Sequence, residues 1–295
     1  MRRLRSLLRP LRLALRRVRL ALFGNDQPLW TNLLYLAHDS LARWRWHGAP
    51  ADEARSVAAR FAADGYALLP PLLEEPALRR LAGEIDAAFA SDAGTRRVDD
   101  GTRRLMDAFR RVPALEALIS PAAERAVEAH FGSHFKIYSV TLYRTEPTAS
   151  MEDNSFLWHV DNCPLSNIKL MVYLDDVAEE TGAIRFKPRQ VSDDLLARGF
   201  WDRVDVERFR GELDAAETTR IVAAPLGTGI LFMNGRCLHK ATYPRRGHRD
   251  VVTFVLQPSL VPWREHLRPR RDTVDVNSGF CRNPFTDRPQ HVGQL

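Results

Sequence analysis

The chain has 295 residues, 45% of them hydrophobic and 27% charged, as expected of a globular protein with one substantial core or two small ones. No apolar run is long enough for a helix that spans a bilayer, and three cysteines are too few for a disulfide framework, so the sequence indicates a cytoplasmic protein with reduced thiols. The formal net charge is +6, but residues 1–25 carry eight arginines and no acid. Once these eight charges are subtracted, the rest of the chain has a net charge of −2, which argues against nucleic-acid binding by the body.

The first 50 residues are predicted to form a basic amphipathic helical extension, followed by one domain at residues 51–295. Apolar residues recur there at helical spacing on either side of residues 24–28. They are Leu4, Leu8, Leu11, Leu15, Val18 and Leu22, and then Trp30, Leu33, Leu34, Ala37, Leu41 and Trp44. Apolar stripes bordered by arginines are typical of helices on an anionic membrane, so residues 1–46 are predicted to hold the protein peripherally on the inner membrane face. Two alternatives stay open: packing on the body or a partner helix, and a mitochondrial transit peptide.

Helices dominate the first half of the body and strands the second half. Helices are predicted over 51–63, 74–90 and within 113–131, a short strand over 66–69 that Pro70 and Pro71 stop, and a polar loop over 92–103. β-branched and aromatic runs predict strands at Phe135–Arg144, Lys169–Leu174, Ala183–Lys187, Gly229–Met233 and Val251–Leu256. Residues 191–220 resemble an insertion between strands. This order predicts an α+β protein with an antiparallel barrel or sandwich.

Candidate metal ligands lie at the ends of these strands. His159 and Asp161 are two residues apart, so in an extended chain both side chains project from the same face and can bind one ion. His239 follows the fourth of these predicted strands, where a third ligand is expected. Two histidines and one carboxylate leave three positions open on non-haem Fe(II). Arg249, at the start of the last strand, is placed to bind the distal carboxylate of a dicarboxylic cosubstrate through two hydrogen bonds.

Other interpretations of the same residues have to be considered. His248 and Asp250 form a second pair with the same spacing, but no histidine follows them on a later strand. Cys163 and Cys237 lie close to the predicted ligands in sequence, and a site that included them would favour zinc. The rival functions are a metal-binding barrel without catalysis, a nucleic-acid demethylase, and a membrane-peripheral adaptor.

Several segments together resemble the phytanoyl-CoA dioxygenase family of Fe(II)- and 2-oxoglutarate-dependent oxygenases. The similarity covers most of residues 55–258. Its motifs are ArgPheAlaAlaAspGlyTyrAlaLeuLeuPro at 60–70, TrpHisValAspAsn at 158–162, TyrLeuAspAspValAlaGluGluThrGlyAlaIleArgPheLysPro at 173–188, and the stretch from Gly227 to His239. Arg249 falls where this family has its 2-oxoglutarate arginine.

The resemblance implies a double-stranded β-helix, the jelly-roll barrel of cupin-like proteins, with helices packed outside. It implies Fe(II) as the metal, 2-oxoglutarate as the cosubstrate, O2 as the oxidant, and hydroxylation of an unactivated C–H bond. Two departures from the family stand out. Pro188-Arg189-Gln190-Val191 replaces a Pro-Gly-Ser-His turn, and Val251 stands where related oxygenases often have a hydroxyl residue, which Thr253 is expected to supply instead.

The substrate is not readable from these motifs. A membrane-bound N-terminus suggests a lipid, an acyl chain or a lipid-linked saccharide, and small amphipathic metabolites fit the family equally well. Arg185, Lys187 and Arg189 lie near the end of a predicted strand and are weak candidates for binding phosphate or carboxylate on such a molecule. The alternative is a solvated basic edge.

Overall fold

The structure, a computed structural model, describes residues 15, 18–20, 22–91, 93–149, 154–164, 166–269 and 282–288. Its helices are α1 (Leu29–Arg45), α2 (Asp52–Asp64), α3 (Glu75–Ala90), α4 (Ala108–Arg111), α5 (Pro121–Phe131), α6 (Arg189–Ala197), α7 (Arg210–Asp214) and α8 (Trp263–Leu267). Its strands are β1 (Tyr66–Pro71), β2 (Thr95–Arg97), β3 (Thr102–Leu105), β4 (His134–Thr145), β5 (Ile168–Tyr173), β6 (Ile184–Phe186), β7 (Arg220–Val222), β8 (Thr228–Phe232), β9 (His239–Lys240) and β10 (Arg249–Ser259). Helices followed by strands confirm the α+β prediction.

The strands form two antiparallel sheets. The larger sheet has the order β1-β8-β5-β10-β4-β3-β2, and the smaller has the order β7-β6-β9. A bridge between His159 and His239 adds the segment around His159 to the edge of the smaller sheet. The sheets pack face to face across a cluster that includes Met171 and Tyr173 from the larger sheet and Phe186 from the smaller.

Side chains along the central strands alternate between two environments, the main core on one face of the larger sheet and the space between the two sheets on the other. On β10, Val252 and Phe254 belong to the main core, which also holds residues of α3 and α5, whereas Val251 belongs to the cluster between the sheets. β5 behaves in the same way, with Leu170 packed in the main core and Met171 facing inward. Because side chains alternate with a period of two, each of these strands contributes one face to stability and the other to the interior site.

Two predicted elements differ from the structure for reasons of backbone chemistry. The helix predicted within 113–131 is divided into a 3-10 turn over Pro113–Leu118 and α5. Pro121 disfavours helical backbone at Ser120, which instead caps α5 by accepting a hydrogen bond from the Ala123 amide at 3.3 Å. The loop predicted over 92–103 includes the hairpin strand β2, which its polar, arginine-rich sequence concealed.

The first strand also continues further than expected. Pro70 and Pro71 were predicted to stop it, yet β1 extends through Pro71. β1 is the edge strand of the larger sheet and pairs on one side only, with β8, and the pairing register shifts between Leu69 and Pro71. An edge strand tolerates proline because a missing backbone N–H can face away from its partner.

Helix α1 packs against the body with an unusual polarity. Its buried residues are mostly polar and comprise Thr31, Asn32, Tyr35, His38, Asp39 and Ala42. The Tyr35 hydroxyl donates to the Arg282 carbonyl at 2.9 Å, and the Arg43 guanidinium donates to the Phe131 carbonyl at 3.0 Å. The large apolar side chains of the helix instead face outward and include Leu29, Trp30, Leu33, Leu36 and Trp44.

The predicted stripe from Leu4 to Leu11 lies outside the described residues, and the division of the chain at residue 50 stays a prediction. Residues 18–20, 22 and 23 have helical backbone. In the part of the chain that the structure describes, no helix combines the length and the apolar character needed to cross a membrane.

Candidate functional site

The three predicted metal ligands converge between the two sheets. One ligand atom each from His159, Asp161 and His239 lies within 4.8 Å of the others. The amides of the two histidines exchange hydrogen bonds with each other's carbonyls, at 3.1 and 3.0 Å, and their ring centroids are 4.3 Å apart. Both rings are buried, with His159 2% and His239 4% exposed. Backbone pairing between distant segments therefore places the second histidine beside the first.

Each histidine ring is oriented by its own backbone neighbourhood. His159 Nδ1 lies 2.8 Å from the Leu157 carbonyl, and His239 Nδ1 lies 2.9 Å from the Cys237 carbonyl. A carbonyl oxygen only accepts, so each Nδ1 carries the proton and each Nε2 presents a lone pair. Metal-binding histidines require this tautomer, with one ring nitrogen hydrogen-bonded to a protein acceptor and the other free to bind the ion.

The protonation states also suit a cation. Burial lowers the pKa of His159 well below its ordinary value and lowers the pKa of His239 to about 4, so both imidazoles are neutral at physiological pH. Burial raises the pKa of Asp161, but the Lys169 ammonium, which also donates a hydrogen bond to the carboxylate, outweighs it, and the net pKa lies far below the ordinary range. Neutral imidazoles and an ionised carboxylate are the forms that bind a metal.

Two residues that the sequence did not single out position the Asp161 carboxylate. Its Oδ2 atom lies 2.6 Å from Lys169 Nζ and accepts a hydrogen bond from Asn234 Nδ2 at 2.8 Å. Its Oδ1 atom lies 3.6 Å from His159 Nε2. One oxygen is thus held by protein donors, and the other faces the His159 ring. The only sequence signals for these residues are that Lys169 begins a predicted strand and that Asn234 follows one.

Arg249 lies in the same cavity as the histidines. It is 5% exposed, its Nη1 donates to the Gly182 carbonyl, and its Nη2 lies 3.5 Å from the Thr145 hydroxyl. Among the described residues, no atom accepts a hydrogen bond from its Nε. Burial lowers the pKa of Arg249 because water no longer stabilises its charge. A buried guanidinium with an unpaired N–H fits a carboxylate ligand.

Two cavities meet at this site. The first has a volume of about 160 Å³ and is lined by both histidines, Arg249 and Thr253, with apolar walls that include Phe156, Met171 and Phe232. The second has a volume of about 410 Å³ and lies on the Asp161 side. Four residues line both cavities: Tyr143, Ser155, Lys169 and Thr253.

The three weak substrate-binding candidates lie elsewhere. Arg185, Lys187 and Arg189 line neither of these two cavities in the described chain. Lys187 is fully buried and donates to the Ala215 carbonyl and to the hydroxyls of Thr218 and Thr219 at 2.8–3.0 Å. Arg185 pairs with Glu179, and Arg189 pairs with Asp193 and the Ala62 carbonyl. Their role in substrate binding stays a prediction that these contacts do not support.

The cysteines are not positioned as zinc ligands. The fully buried Cys237 thiol donates to the Lys187 carbonyl at 3.2 Å, and burial raises its pKa to about 12. Cys163 Sγ accepts a hydrogen bond from Asn234 Nδ2 at 3.3 Å. Neither sulfur belongs to the group of converging ligand atoms found among the described residues.

The second His-x-Asp pair acquires a third acid through the fold. Asp86 of α3 lies beside His248 and Asp250, with ligand atoms within 4.8 Å. Arg144 donates to both carboxylates of this group. This arrangement is a salt-bridge cluster, because the guanidinium already occupies the space between the acids.

The chain matches the family model described as Phytanoyl-CoA dioxygenase (PhyH) over residues 61–245. The matched range holds the three converging ligands but ends before Arg249 and Thr253. No curated protein matches the chain in sequence.

Solved structures resemble the chain in fold. One is the epimerase SnoN from nogalamycin biosynthesis in complex with Fe3+, alpha ketoglutarate and nogalamycin RO, at 16% identity over 82% of this chain and 96% of that one, with a TM-score of 0.54. A second is EctD from S. alaskensis with bound Fe, at 17% identity over 72% and 80%, with a TM-score of 0.56. A third is HygX from Streptomyces hygroscopicus with nickel and 2-oxoglutarate, at 15% identity over 70% and 88%, with a TM-score of 0.52. At these identities the likeness concerns the fold.

Proposed function

The chain belongs to the phytanoyl-CoA dioxygenase family, and on that premise we propose that it is an Fe(II)- and 2-oxoglutarate-dependent oxygenase with His159, Asp161 and His239 as metal ligands. The observation that carries the proposal is that two histidines and a buried arginine line the same cavity. Two neutral histidines line it beside a buried arginine whose Nε has no partner among the described residues. A metal and a dicarboxylate satisfy both groups together.

We assign the barrel to the double-stranded β-helix. β4, β10, β5 and β8 supply four adjacent strands of the larger sheet, and β7, β6, β9 and the segment at His159 supply four of the smaller. This arrangement of two facing four-stranded sheets supports the jelly-roll assignment.

The cofactors are Fe(II) and the cosubstrate 2-oxoglutarate. Arg249 binds the distal carboxylate of the cosubstrate, and Thr253 lines the same cavity with its hydroxyl. With O2, this pair of cofactors supplies an oxidant able to attack an unactivated C–H bond. Phe156, Met171 and Phe232 surround the centre with apolar surface and limit access of water. The proposed reaction is hydroxylation.

The first test is anaerobic spectroscopy with Fe(II) and 2-oxoglutarate. Chelation of the iron by 2-oxoglutarate is expected to give a weak visible charge-transfer band, which is lost in His159→Ala and weakened in Arg249→Ala. His248→Ala is the matched control, because it removes a histidine from the salt-bridge cluster outside the cavity. Iron binding without this band would overturn the oxygenase proposal and favour a metal-binding barrel without catalysis.

The product is the second readout, since similar folds include a described epimerase and a described carbocyclase. Oxygen from O2 incorporated into product supports hydroxylation. Substrate-dependent succinate formation without incorporated oxygen would replace hydroxylation with another oxidation.

We further propose that α1 and the residues before it rest on an anionic membrane on the cytoplasmic side. The outward face of this segment is apolar, with Leu22 66% and Trp44 76% exposed, although the helix buries mainly polar residues. The adjoining residues 1–25 carry eight arginines and no acid. Apolar exposure beside concentrated positive charge is complementary to an anionic bilayer surface. A lipid-linked substrate would be met at this surface.

Vesicle sedimentation tests this placement. The protein is expected to bind phosphatidylglycerol vesicles more strongly than phosphatidylcholine vesicles, and Leu22→Ser with Leu33→Ser is expected to weaken binding about tenfold or more. Val204→Ser is the control, because Val204 is 84% exposed but lies in the insertion. Equal binding to neutral and anionic vesicles, or no binding, contradicts the proposal.

A further inference from the structure

We propose that the second cavity binds an anionic, hydroxyl-bearing part of the substrate, with Lys169 and Arg203 as its cationic contacts. The proposal rests on the proposed function, because it gives the substrate of that oxygenase a chemical class. It assigns the first cavity to the cosubstrate and the second to the molecule that is oxidised.

The position of the second cavity suits a primary substrate. It has a volume of about 410 Å³, compared with about 160 Å³ for the cavity that holds Arg249. Asp161 lines it, and Lys169 and Thr253 line both cavities. A molecule in this space therefore lies against the metal ligand without displacing a dicarboxylate from the arginine.

The lining of the second cavity is rich in hydrogen-bonding groups. Hydroxyl groups come from Tyr138, Ser139, Thr141, Tyr143, Ser155 and Thr253. Amide groups come from Gln27, Asn162, Asn167 and Asn234. Several of these groups already bond within the protein, as Asn167 does with Gln257 and Asn234 does with Asp161. An acyl chain would offer no hydrogen bond to the others, and each group that it left unsatisfied would cost about 1–3 kcal/mol. A hydroxylated molecule would satisfy them.

The charged lining favours an anion. Among the described residues, Asp161 is the one acidic side chain that lines the second cavity, whereas Lys169 and Arg203 are both cationic. Two cations against one carboxylate leave the lining with a net charge of +1, which attracts an anion. Each cation already has one protein partner, since Lys169 Nζ lies 2.6 Å from Asp161 and Arg203 Nη1 lies 3.5 Å from Asp202. A bound anion would therefore share these cations with the two carboxylates.

Lys169 is held where an anion beside the metal can reach it. Its Nζ lies 2.6 Å from Asp161 Oδ2 and 5.7 Å from the centroid of the Phe232 ring. An ammonium has three donor hydrogens, so the contact with Asp161 leaves capacity for a further acceptor.

Arg203 comes from the insertion and forms part of the rim. Its Nε donates to the Asn154 carbonyl at 2.6 Å, and its Nη1 lies 3.5 Å from Asp202. Gln27 approaches from the N-terminal segment and donates to the Asn162 carbonyl at 3.3 Å. The insertion and the N-terminal segment thus both contribute to the wall that the substrate contacts.

The test is calorimetric binding to protein loaded with Zn(II) and 2-oxoglutarate, which fills the first cavity and prevents turnover. The probes are glycerol 3-phosphate, gluconate and glucose 6-phosphate, with glycerol, glucose and octanoate as comparison ligands. At least one hydroxylated anion is expected to bind, and the neutral polyols and octanoate are expected to bind at least tenfold more weakly. Binding of 2-oxoglutarate is measured first in the same sample. If 2-oxoglutarate does not bind, the proposed function fails, and this result is distinguishable from a failure of the substrate proposal.

Three variants locate the bound anion. Lys169→Met is expected to weaken binding by roughly 10- to 100-fold, and Lys169→Arg is expected to restore part of it. Arg203→Met is expected to weaken binding by about tenfold, and it leaves the metal ligands untouched. Arg210→Met is the control, because it removes an exposed arginine from the same insertion. The proposal is overturned if none of the three hydroxylated anions binds and vesicles that carry the same chemistry do not bind at this site either. It is also overturned if an anion binds but neither Lys169→Met nor Arg203→Met weakens that binding.

A parallel experiment distinguishes a free anion from a lipid headgroup. Phosphatidylglycerol carries a phosphate and a hydroxylated glycerol, so vesicles of this lipid present the same chemistry on a membrane. The site is assigned to a lipid headgroup if Arg203→Met weakens vesicle binding and the soluble probes do not bind. It is assigned to a free metabolite if Arg203→Met weakens binding of the soluble probes but leaves vesicle binding unchanged.

Discussion

The two cavities are built from the same strands but differ in chemistry. On β10, Arg249 and Val251 line the first cavity, Thr253 lines both, and Val255 lines the second. A step of two residues along a strand, about 7 Å, therefore changes the cavity that a side chain enters. The first cavity combines apolar walls with one buried guanidinium, whereas the second is polar and rimmed by the insertion. One barrel thus presents an apolar cavity for the proposed cosubstrate beside a polar cavity for the proposed substrate.

The largest expected effect comes from the proposed metal ligands, because they lie where the cavities meet. His159→Ala is expected to abolish stoichiometric Fe(II) binding and to reduce 2-oxoglutarate turnover by about a thousandfold or more. Iron content and succinate formation measure it. His248→Ala, the control, is expected to keep both, and a fully active His159→Ala enzyme would exclude this residue as a ligand.

Substitution of Arg249 is expected to affect ligand binding in the first cavity, which this residue lines, and not in the second. Arg249→Gln is expected to raise the KM for 2-oxoglutarate by roughly a hundredfold while iron content stays unchanged, because a charge-assisted bidentate contact is replaced by a neutral one. Steady-state kinetics at saturating iron measures the shift. Unchanged KM would show that the cosubstrate carboxylate is bound elsewhere.

Asn234 tests how far the Asp161 carboxylate depends on its supporting donors. Asn234→Ala removes the donor 2.8 Å from Asp161 Oδ2 and is expected to weaken Fe(II) affinity by about 10- to 100-fold. Competition with a fluorescent chelator measures this affinity. Asn167→Ala changes an amide elsewhere on the same cavity and is expected to leave iron affinity unaltered, whereas equal losses in both variants would point to general damage.

Thr253 should give the smallest effect, because it lines both cavities with a single hydroxyl. Thr253→Val keeps the shape and removes the hydroxyl, and it is expected to weaken 2-oxoglutarate binding by about three- to tenfold. Thr253→Ser should retain affinity close to that of the parent protein. A loss as large as that of Arg249→Gln would mean that the hydroxyl, and not the guanidinium, is the principal cosubstrate contact.

The sequence predicted the three residues that converge between the sheets because each of them has a recognisable local pattern. His159 and Asp161 are two residues apart, so an extended backbone directs both side chains to one side. His239 and Arg249 lie at the ends of apolar runs that are recognisable as strands. The substrate-binding role of Arg185, Lys187 and Arg189 stays a prediction, since a lysine in sequence does not reveal whether its ammonium reaches solvent. Lys187 is fully buried, with three oxygen acceptors.

By itself, the sequence determined the α+β class and the family, and it named the three candidate ligands, because composition, strand alternation and short motifs are properties of neighbouring residues. Only the tertiary structure decided that Lys169 and Asn234 hold Asp161, that Arg203 reaches the second cavity, and that α1 turns its polar face inward. These facts depend on contacts between segments far apart in the chain, such as the contact between Asn234 and Asp161. Periodicity reveals that a helix has two faces, but the packing partner decides which face is buried.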